Sequence, residues 1–572
     1  MFSLNLIDSK WIPCILPGGE REELSIKETF EHASDIQEIF DPSPLVTVAI
    51  HRLLLCILHR NFGPANEKEW ANLWTDGMGN WDKGKLAAYM DKWRPCFDLF
   101  DEKHPFYQCP TMLISTTDAS GKPKSYAKSI ANLVHELATG DNATLFDHTV
   151  EDNPRAISPA EAARLLVAFQ AFAVGGLITF ESGQDRKQFG SADNAPLVKG
   201  AVMLVKGKNL LQTLMLNLHK YNRADEEPWA MDRDDAPAWE HEENMLREEP
   251  PKGYMDLLTW QSRRIRLIPE QDDHGQTIVT QVVIMKGNQF PDNFSLHGKE
   301  PMLAFHKILK PGKGQDPWPP LAFQEERALW RDSLSLFQKS EAKAEGTRPK
   351  VLDWLSDLAM EGIIAGATNY DLATMGLVTS RAKVSLWRHE RLPLPMKYLE
   401  ADSEYLLDKL RDALEVAENV GRLFGAGTIK TLYIDKKGKD KTVYIPSPLY
   451  MLASEMLPKD QKGKADPDAI KSLVNSLSPS RPYWAQLGVS FNELVTKLPA
   501  DKSGENEYGK TVLPWWADKV RQAARDAFRE ATSSLDRTAR MLKAVTQAEN
   551  SFSIQLNKVL KPYLNAGKKG GE

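Results

Sequence analysis

Chemistry in this chain is concentrated in a few short stretches. Gly175 and Gly176 stand where an apolar run gives way to a polar one holding Ser182, Gly183, Gln184, Asp185, Arg186, Lys187, Gln188 and Gly190. Paired glycines accept backbone angles that other residues avoid, and with no side chains the main chain there can lie close to a flat polar surface. Lys286 closes the β-run Ile278–Met285 and precedes Gly287 and Asn288, so its ammonium is placed to reach outward from a strand tip. Arg263, Arg264 and Arg266 make one basic cluster. Arg381, Ala382 and Lys383, followed by Trp387, Arg388, His389 and Arg391, make a second. Phe146 sits in a polar loop from Gly140 to His148 that also holds Asn142, and an exposed phenyl ring packs onto its own domain or inserts into a partner.

Catalytic signatures are missing from the sequence. It has no GxSxG, no GxxxxGK[ST], no HExxH and no GxGxxG. His51 and His59 fall on an apolar stretch and read as core, and Asp101 with His104 lacks a third polar member. Cys14, Cys56, Cys96 and Cys109 form no CxxC pair, which argues for reduced thiols and against a zinc site. The acids between Arg223 and Pro250 lack metal-ligand spacing and read as a solvated face. The chain therefore reads as a binding protein, not an enzyme, with no cofactor and no metal.

The elements that must position these residues follow from periodicity. Leu165, Leu166, Phe169, Phe172 and Ala173 recur at helical steps, predicting a buried helix that Gly175 and Gly176 end. Asp41-Pro42-Ser43-Pro44 opens a second apolar helix, Leu45 to His59. Further helices are expected over Ser129–Ala138, Arg327–Gln338 and Val351–Ile364. Beyond Ser403 the pattern is mostly helical, with Tyr405–Phe424, 468–478, 481–498 and 514–548 broken by a hairpin over Thr428–Ile445. In the last helix Trp516, Val520, Ala523, Ala527, Ala531 and Leu535 form one inward stripe. The fold class is α+β: a mixed α/β N-terminal domain with irregular loops over residues 1–402, then an antiparallel four-helix bundle over residues 403–572.

With 572 residues, 42% hydrophobic and 26% charged, the composition is that of a soluble multidomain protein. The N-terminus lacks a basic n-region, and neither Leu165–Phe180 nor Pro44–Leu58 suits a membrane span, so a cytoplasmic location is expected. The formal net charge of −6 confines any nucleic-acid contact to a local patch. One such patch is the C-terminal stretch 511–572, where 11 Lys and Arg against 6 Asp and Glu leave +5.

Several short runs carry a resemblance. Leu6-Ile7-Asp8 with Trp11-Ile12-Pro13, Phe97-Asp98-Leu99-Phe100 with His104-Pro105-Phe106-Tyr107-Gln108, Ala195 to Gly200, Leu257 to Arg264 and Trp387-Arg388-His389 together resemble the CasA large subunits of type I-E CRISPR Cascade complexes. The resemblance implies a subunit of an RNA-guided surveillance complex. Such a subunit binds the PAM in target double-stranded DNA from the minor groove, starts strand separation and R-loop formation, holds the displaced strand and helps recruit a helicase-nuclease. Guide pairing then reads the target sequence, and the protein reads the PAM. The implied partners are the guide RNA, the other Cascade subunits, target DNA and the helicase-nuclease, with no membrane. The family's glycine loop falls on Gly175 and Gly176, its lysine finger on Lys286, and its strand-separating wedge on Arg381 and Ala382. The familiar wedge residue is Gln, and Arg381 stands in its place. The loop that contacts the guide end resembles Asn142 to His148, with Phe146 the contacting side chain. The zinc site of some members has no counterpart between Trp260 and Phe290. Two other readings stay open: a protein-interaction scaffold that does not touch DNA, and a hydrolase built on Asp101 and His104.

Overall fold

Apolar residues all round a helix require burial on every side, and the Pro44–Phe62 helix meets that requirement: every residue from Pro44 to His59 is buried. By length and composition it is apolar enough to cross a membrane, yet it lies within the protein interior. Pro44 pre-sets the first helical turn. The one cation deep in this helix, Arg52, is matched by the equally buried Glu300 at 2.8 Å. The structure, a computed structural model, describes residues 2–75, 78–79, 81–117, 121–134, 156–241, 246–339, 346–380, 383–434, 440–504, 507–533, 535–536 and 538–564.

The chain divides into two compact units, Met1–Glu325 with Ser335–Leu392 and Glu326–Leu334 with Pro393–Glu572. The first mixes helices with small antiparallel sheets. One places Val202–Lys206 beside Asn369–Ser380 and then Lys383–Pro395. Another pairs Arg263–Gln271 with Thr277–Lys286 and adds Lys128–Ser129 at the far edge. The sequence dictates this pair. Alternating buried residues Arg263, Ile265 and Leu267 face a continuous buried run from Val282 to Met285. Asp272 turns the chain by accepting from the amides of His274 (2.9 Å) and Gln276 (2.7 Å).

Three expected helices differ from what is observed. Over Ser129–Ala138 the described part is a strand end followed by a single 3-10 turn, Ile130–Leu133. Pairing of Ser129 with Gln281 on the neighbouring strand outweighs helix propensity there. Arg327–Gln338 is a 3-10 turn, Leu329–Asp332, running into a short helix, Ser333–Phe337. The expected helix over 514–548 is two, Val512–Ser533 and Ala539–Leu564. The second brings Phe552 back against Phe528, rings stacked at 4.5 Å, and Leu535 lies beyond the first helix rather than on its stripe. That aromatic pairing requires the chain to reverse.

The second unit is mainly helical. Its long helices are Glu404–Gly421, Ser480–Lys497, Val512–Ser533 and Ala539–Leu564. Trp516 donates its indole N–H to the Ala413 carbonyl (2.8 Å), and Tyr483 donates its hydroxyl to the Ala417 carbonyl (2.8 Å). These bonds fix the register of two helices against Glu404–Gly421 while burying both rings. The hairpin expected over Thr428–Ile445 is present as strands Thr428–Ile434 and Asp440–Pro446.

Candidate functional site

The glycine pair sits at the end of a firmly capped helix. Pro159–Phe172 starts at Ser158, whose hydroxyl accepts the Glu161 amide (3.2 Å), with Pro159 in the first turn. It stops at Phe172, with Ala173 as its C-cap, so the glycines follow the helix end instead of making it. The stop has a cause remote in sequence. The guanidinium of Arg263 donates to the carbonyls of Val174 (3.0 Å) and Asp193 (2.7 Å), and to that of Ala173 at a longer 3.4 Å. It also donates to the Ser262 carbonyl (2.8 Å). Buried Gln170 adds a second tie, accepting from the Arg263 amide (3.0 Å) and donating to the Arg263 carbonyl (2.9 Å).

Each glycine has its own reason. The amide of Gly175 donates to the Asn194 side chain (2.8 Å). A Cβ at Gly175 would lie 2.9 Å from backbone atoms of Ala192, Asp193 and Asn194, so no larger residue fits. Gly176 has φ +154°, a region that favours glycine, and a Cβ there would meet nothing within 4 Å. Open space therefore adjoins its backbone. Gly176–Leu177 pairs with Ser191–Ala192 in a two-residue ribbon. Leu177 is 87% exposed, and Arg186 and Lys187 are exposed in the short helix Arg186–Phe189 that the ribbon carries.

Lys286 meets this segment from the strand pair. It stands opposite Arg263 in register, and the preceding residue, Met285, bridges to Thr179. Its ammonium does not extend freely from the strand tip. It donates to the Gln188 carbonyl (2.9 Å) and to Glu248 (3.1 Å), and its side chain is only 12% exposed. Gly287 is required behind it, since a Cβ would lie 2.5 Å from the Gln261 carbonyl oxygen and the Arg263 amide nitrogen. Two features read separately in the sequence, the glycine pair and Lys286, are thus parts of one assembly held by Arg263.

The arginine cluster does not form an open basic face. Arg263 is buried, Arg264 donates to the Lys286 carbonyl (2.9 Å), and Arg266 donates to the Met112 carbonyl (2.6 Å). Burial lowers the Arg263 guanidinium to about 10, with the Asp193 charge acting the other way, so it stays charged at neutral pH. In the second cluster Arg391 pairs with Glu38 (2.9 Å) and Arg388 with Glu390 (3.0 Å), while Trp387 remains partly exposed. Arg381 and Ala382 lie outside the described residues, as do Asn142, Phe146 and His148. Asp101 spends its carboxylate on the amides of Lys103 (2.9 Å) and His104 (2.6 Å). His104 lines a cleft of about 350 Å³ with Cys96, Tyr107, Trp239 and His241, and Asp101 is not among the residues that line it. The acidic tract is in part structural: Asp235 is buried and accepts the amides of Asp256 (2.9 Å) and Met255 (3.2 Å). Sequence reasoning passed over Leu177 and Glu248. Leu177 follows the paired glycines directly, which was a signal; Glu248 was one acid among many.

With this geometry in place, the relatives are informative. Residues 5–527 match the profile of the CRISPR-associated protein Cse1 family. This chain belongs to the Cse1 family. The CRISPR-associated protein CasA/Cse1 of Thermus thermophilus is 30% identical over 560 residues, 96% of each chain. The crystal structure of Thermobifida fusca Cse1 superimposes with a TM-score of 0.77 at 24% identity, covering 98% of both chains. A chain of a CRISPR RNA-guided surveillance complex superimposes with a TM-score of 0.66 at 17% identity, covering 96% of this chain and 99% of that one. The Cse1 likeness thus spans both compact units, and the mixed α+β fold is the family's.

Proposed function

We propose that this chain is the large subunit of an RNA-guided CRISPR antiviral surveillance complex, a non-enzymatic cytoplasmic component that recognises the PAM in target double-stranded DNA. It promotes strand separation and R-loop formation, holds the displaced strand and helps recruit the helicase-nuclease. Guide RNA and the other Cascade subunits are its standing partners. The observation that carries this reading is that Gly175, Gly176 and Lys286 belong to one assembly, in a chain whose family is Cse1: Met285 bridges to Thr179, and the Lys286 ammonium bonds the Gln188 carbonyl in the turn that the glycine ribbon carries. Backbone without side chains can approach a minor-groove floor, and an ammonium can donate to the acceptors that every base pair presents there. Leu177, exposed beside the glycines, supplies an apolar face to the groove, and Arg186 and Lys187 supply charge for phosphates. The four long helices of the second unit act as an antiparallel four-helix bundle whose basic face takes the displaced strand.

The test is binding of PAM-containing and PAM-less duplexes by the guide-loaded complex, with and without this chain. Discrimination that needs the chain supports the reading. If adding the chain leaves both duplexes bound equally, the scaffold reading takes its place. Lys286→Ala should then abolish most of the discrimination, and Arg381→Ala should slow strand opening more than it weakens duplex association.

A further inference from the structure

The contacts of Lys286 point to a control on the site just described, and the inference rests on that PAM-reading role. We propose that Glu248 is a specificity-determining latch, holding the Lys286 ammonium until a groove offers acceptors able to replace it.

The geometry separates the two partners of the ammonium by function. The Gln188 carbonyl (2.9 Å) belongs to the turn carried by the ribbon of Gly176–Leu177 and Ser191–Ala192, so this bond ties the lysine to the glycine segment. Glu248 (3.1 Å) comes from a different part of the chain. Its side chain is 56% exposed over a lysine that is 12% exposed, so the carboxylate lies on the outer side. An ammonium has three donors in tetrahedral array. It can keep the Gln188 carbonyl and exchange Glu248 for a base-edge acceptor without losing that tie.

The neighbouring charges make the exchange selective. The nearby cation Arg247 is committed to Asp256 through two bonds, at 3.0 and 2.8 Å, and Glu249 is exposed beside it. With Glu248 on the ammonium, a passing phosphate backbone finds the Lys286 charge already neutralised, and it is left the exposed Arg186 and Lys187 as its cationic contacts here. Non-specific binding of DNA is mainly phosphate binding, so an acid at this position weakens it more than it weakens groove-specific contact. Discrimination here comes partly from withholding the Lys286 charge from a duplex that offers only phosphates.

Guide-loaded complexes carrying Glu248→Gln, Lys286→Ala or both are compared with the natural chain on PAM-containing and PAM-less duplexes across a salt series. Glu248→Gln is expected to tighten PAM-less binding by about three- to tenfold and PAM binding by less, lowering the discrimination ratio. The effect should vanish when Lys286 is also Ala, because no ammonium is then released. An unchanged ratio in Glu248→Gln, while the natural complex still discriminates, overturns the latch and leaves the PAM reading standing. An equal gain in the Lys286→Ala background overturns it too, since Glu248 would then act only as a surface charge. If the natural complex fails to discriminate, the PAM reading falls and the latch with it.

Discussion

Arg263 and Lys286 face each other across one strand pair and hold their charges in opposite ways. The guanidinium is buried and takes main-chain carbonyls from Ser262, Val174 and Asp193, with Ala173 within reach, and none of these can leave. The ammonium lies nearer the surface, with one carbonyl and one exposed carboxylate as partners. A planar guanidinium with several fixed donors suits permanent bridging between backbone segments, whereas an ammonium on a flexible stem suits exchange. The same strand end thus supplies an anchor that shapes the glycine segment and a donor that can change partners above it. Precision and reach come from two residues, not from one compromise.

Arg263→Met is the substitution that would break this comparison most visibly. It removes a buried cation and strands the carbonyls it served. The expected loss is about 3–5 kcal/mol of unfolding free energy, measured by chemical denaturation. PAM discrimination should vanish with it, because the glycine segment loses its tie to the strands. Stability within about 1 kcal/mol of the natural chain would mean that Arg263 is not an anchor.

Buried histidines sharpen the contrast by discharging where Arg263 does not. His59 and His219 lie in one buried cluster, ring centroids 4.6 Å apart, with Tyr221 and Tyr254 against them. Among the described residues, neither ring nitrogen of His59 has a hydrogen-bond partner. Burial lowers His59 well below its ordinary value and His219 to about 4, from 6.5 when unperturbed. Between those values the unfolded chain binds protons that the folded chain refuses. Stability is therefore full above about pH 6.5 and falls on acidification, by up to about 1.4 kcal/mol per pH unit for each histidine. His59→Phe keeps the ring and loses no hydrogen bond, so it should flatten the slope without weakening the protein at neutral pH. An unchanged slope would show that His59 is not among the groups responsible.

What could be read in advance, and what could not, divides along the range of the forces involved. The Pro44–Phe62 helix, the Thr277–Lys286 strand and the Thr428–Pro446 hairpin follow from apolar pattern and turn residues near in sequence. The glycine pair and Lys286 were visible as residue types in telling surroundings. Their union was not visible, because it depends on Arg263 reaching carbonyls some 90 residues earlier in the chain. The same limit hid the end of the Pro159–Phe172 helix and the reversal between Phe528 and Phe552. It also hid the membership of Glu326–Leu334 in the second unit. There Arg327 and Arg331 share Glu418 at 3.0 and 2.7 Å, and Trp330 stacks on Phe491 at 4.5 Å. Arginines that look like a basic patch in sequence turn out to bind backbone, since charge alone does not say which acceptor is nearest.

The two glycines offer the next test. Gly175→Ala places a methyl group 2.9 Å from three backbone atoms that cannot swing aside, so about 1–3 kcal/mol of destabilisation is expected. Gly176→Ala meets no atom within 4 Å, and its penalty comes only from the backbone angle, φ +154°. Thermal melting should therefore fall more for Gly175→Ala. Duplex binding should suffer in both, in Gly176→Ala because its methyl group fills the open space beside the backbone. A reversed order in melting would place the tight approach at the wrong glycine.

The smallest stability effect belongs to Lys286→Ala, and its smallness is the point. Its carboxylate partner is 56% exposed, and ion pairs of that kind contribute about 0–1 kcal/mol. The carbonyl it leaves behind belongs to exposed Gln188 and can take water instead. Denaturation of Lys286→Ala should thus stay within about 1 kcal/mol of the natural chain, against the several lost in Arg263→Met. A loss as large as that of Arg263→Met would make the lysine a second anchor. An anchor cannot release its partner when DNA arrives, so that outcome would also remove the physical basis for a donor that exchanges Glu248 for a base edge.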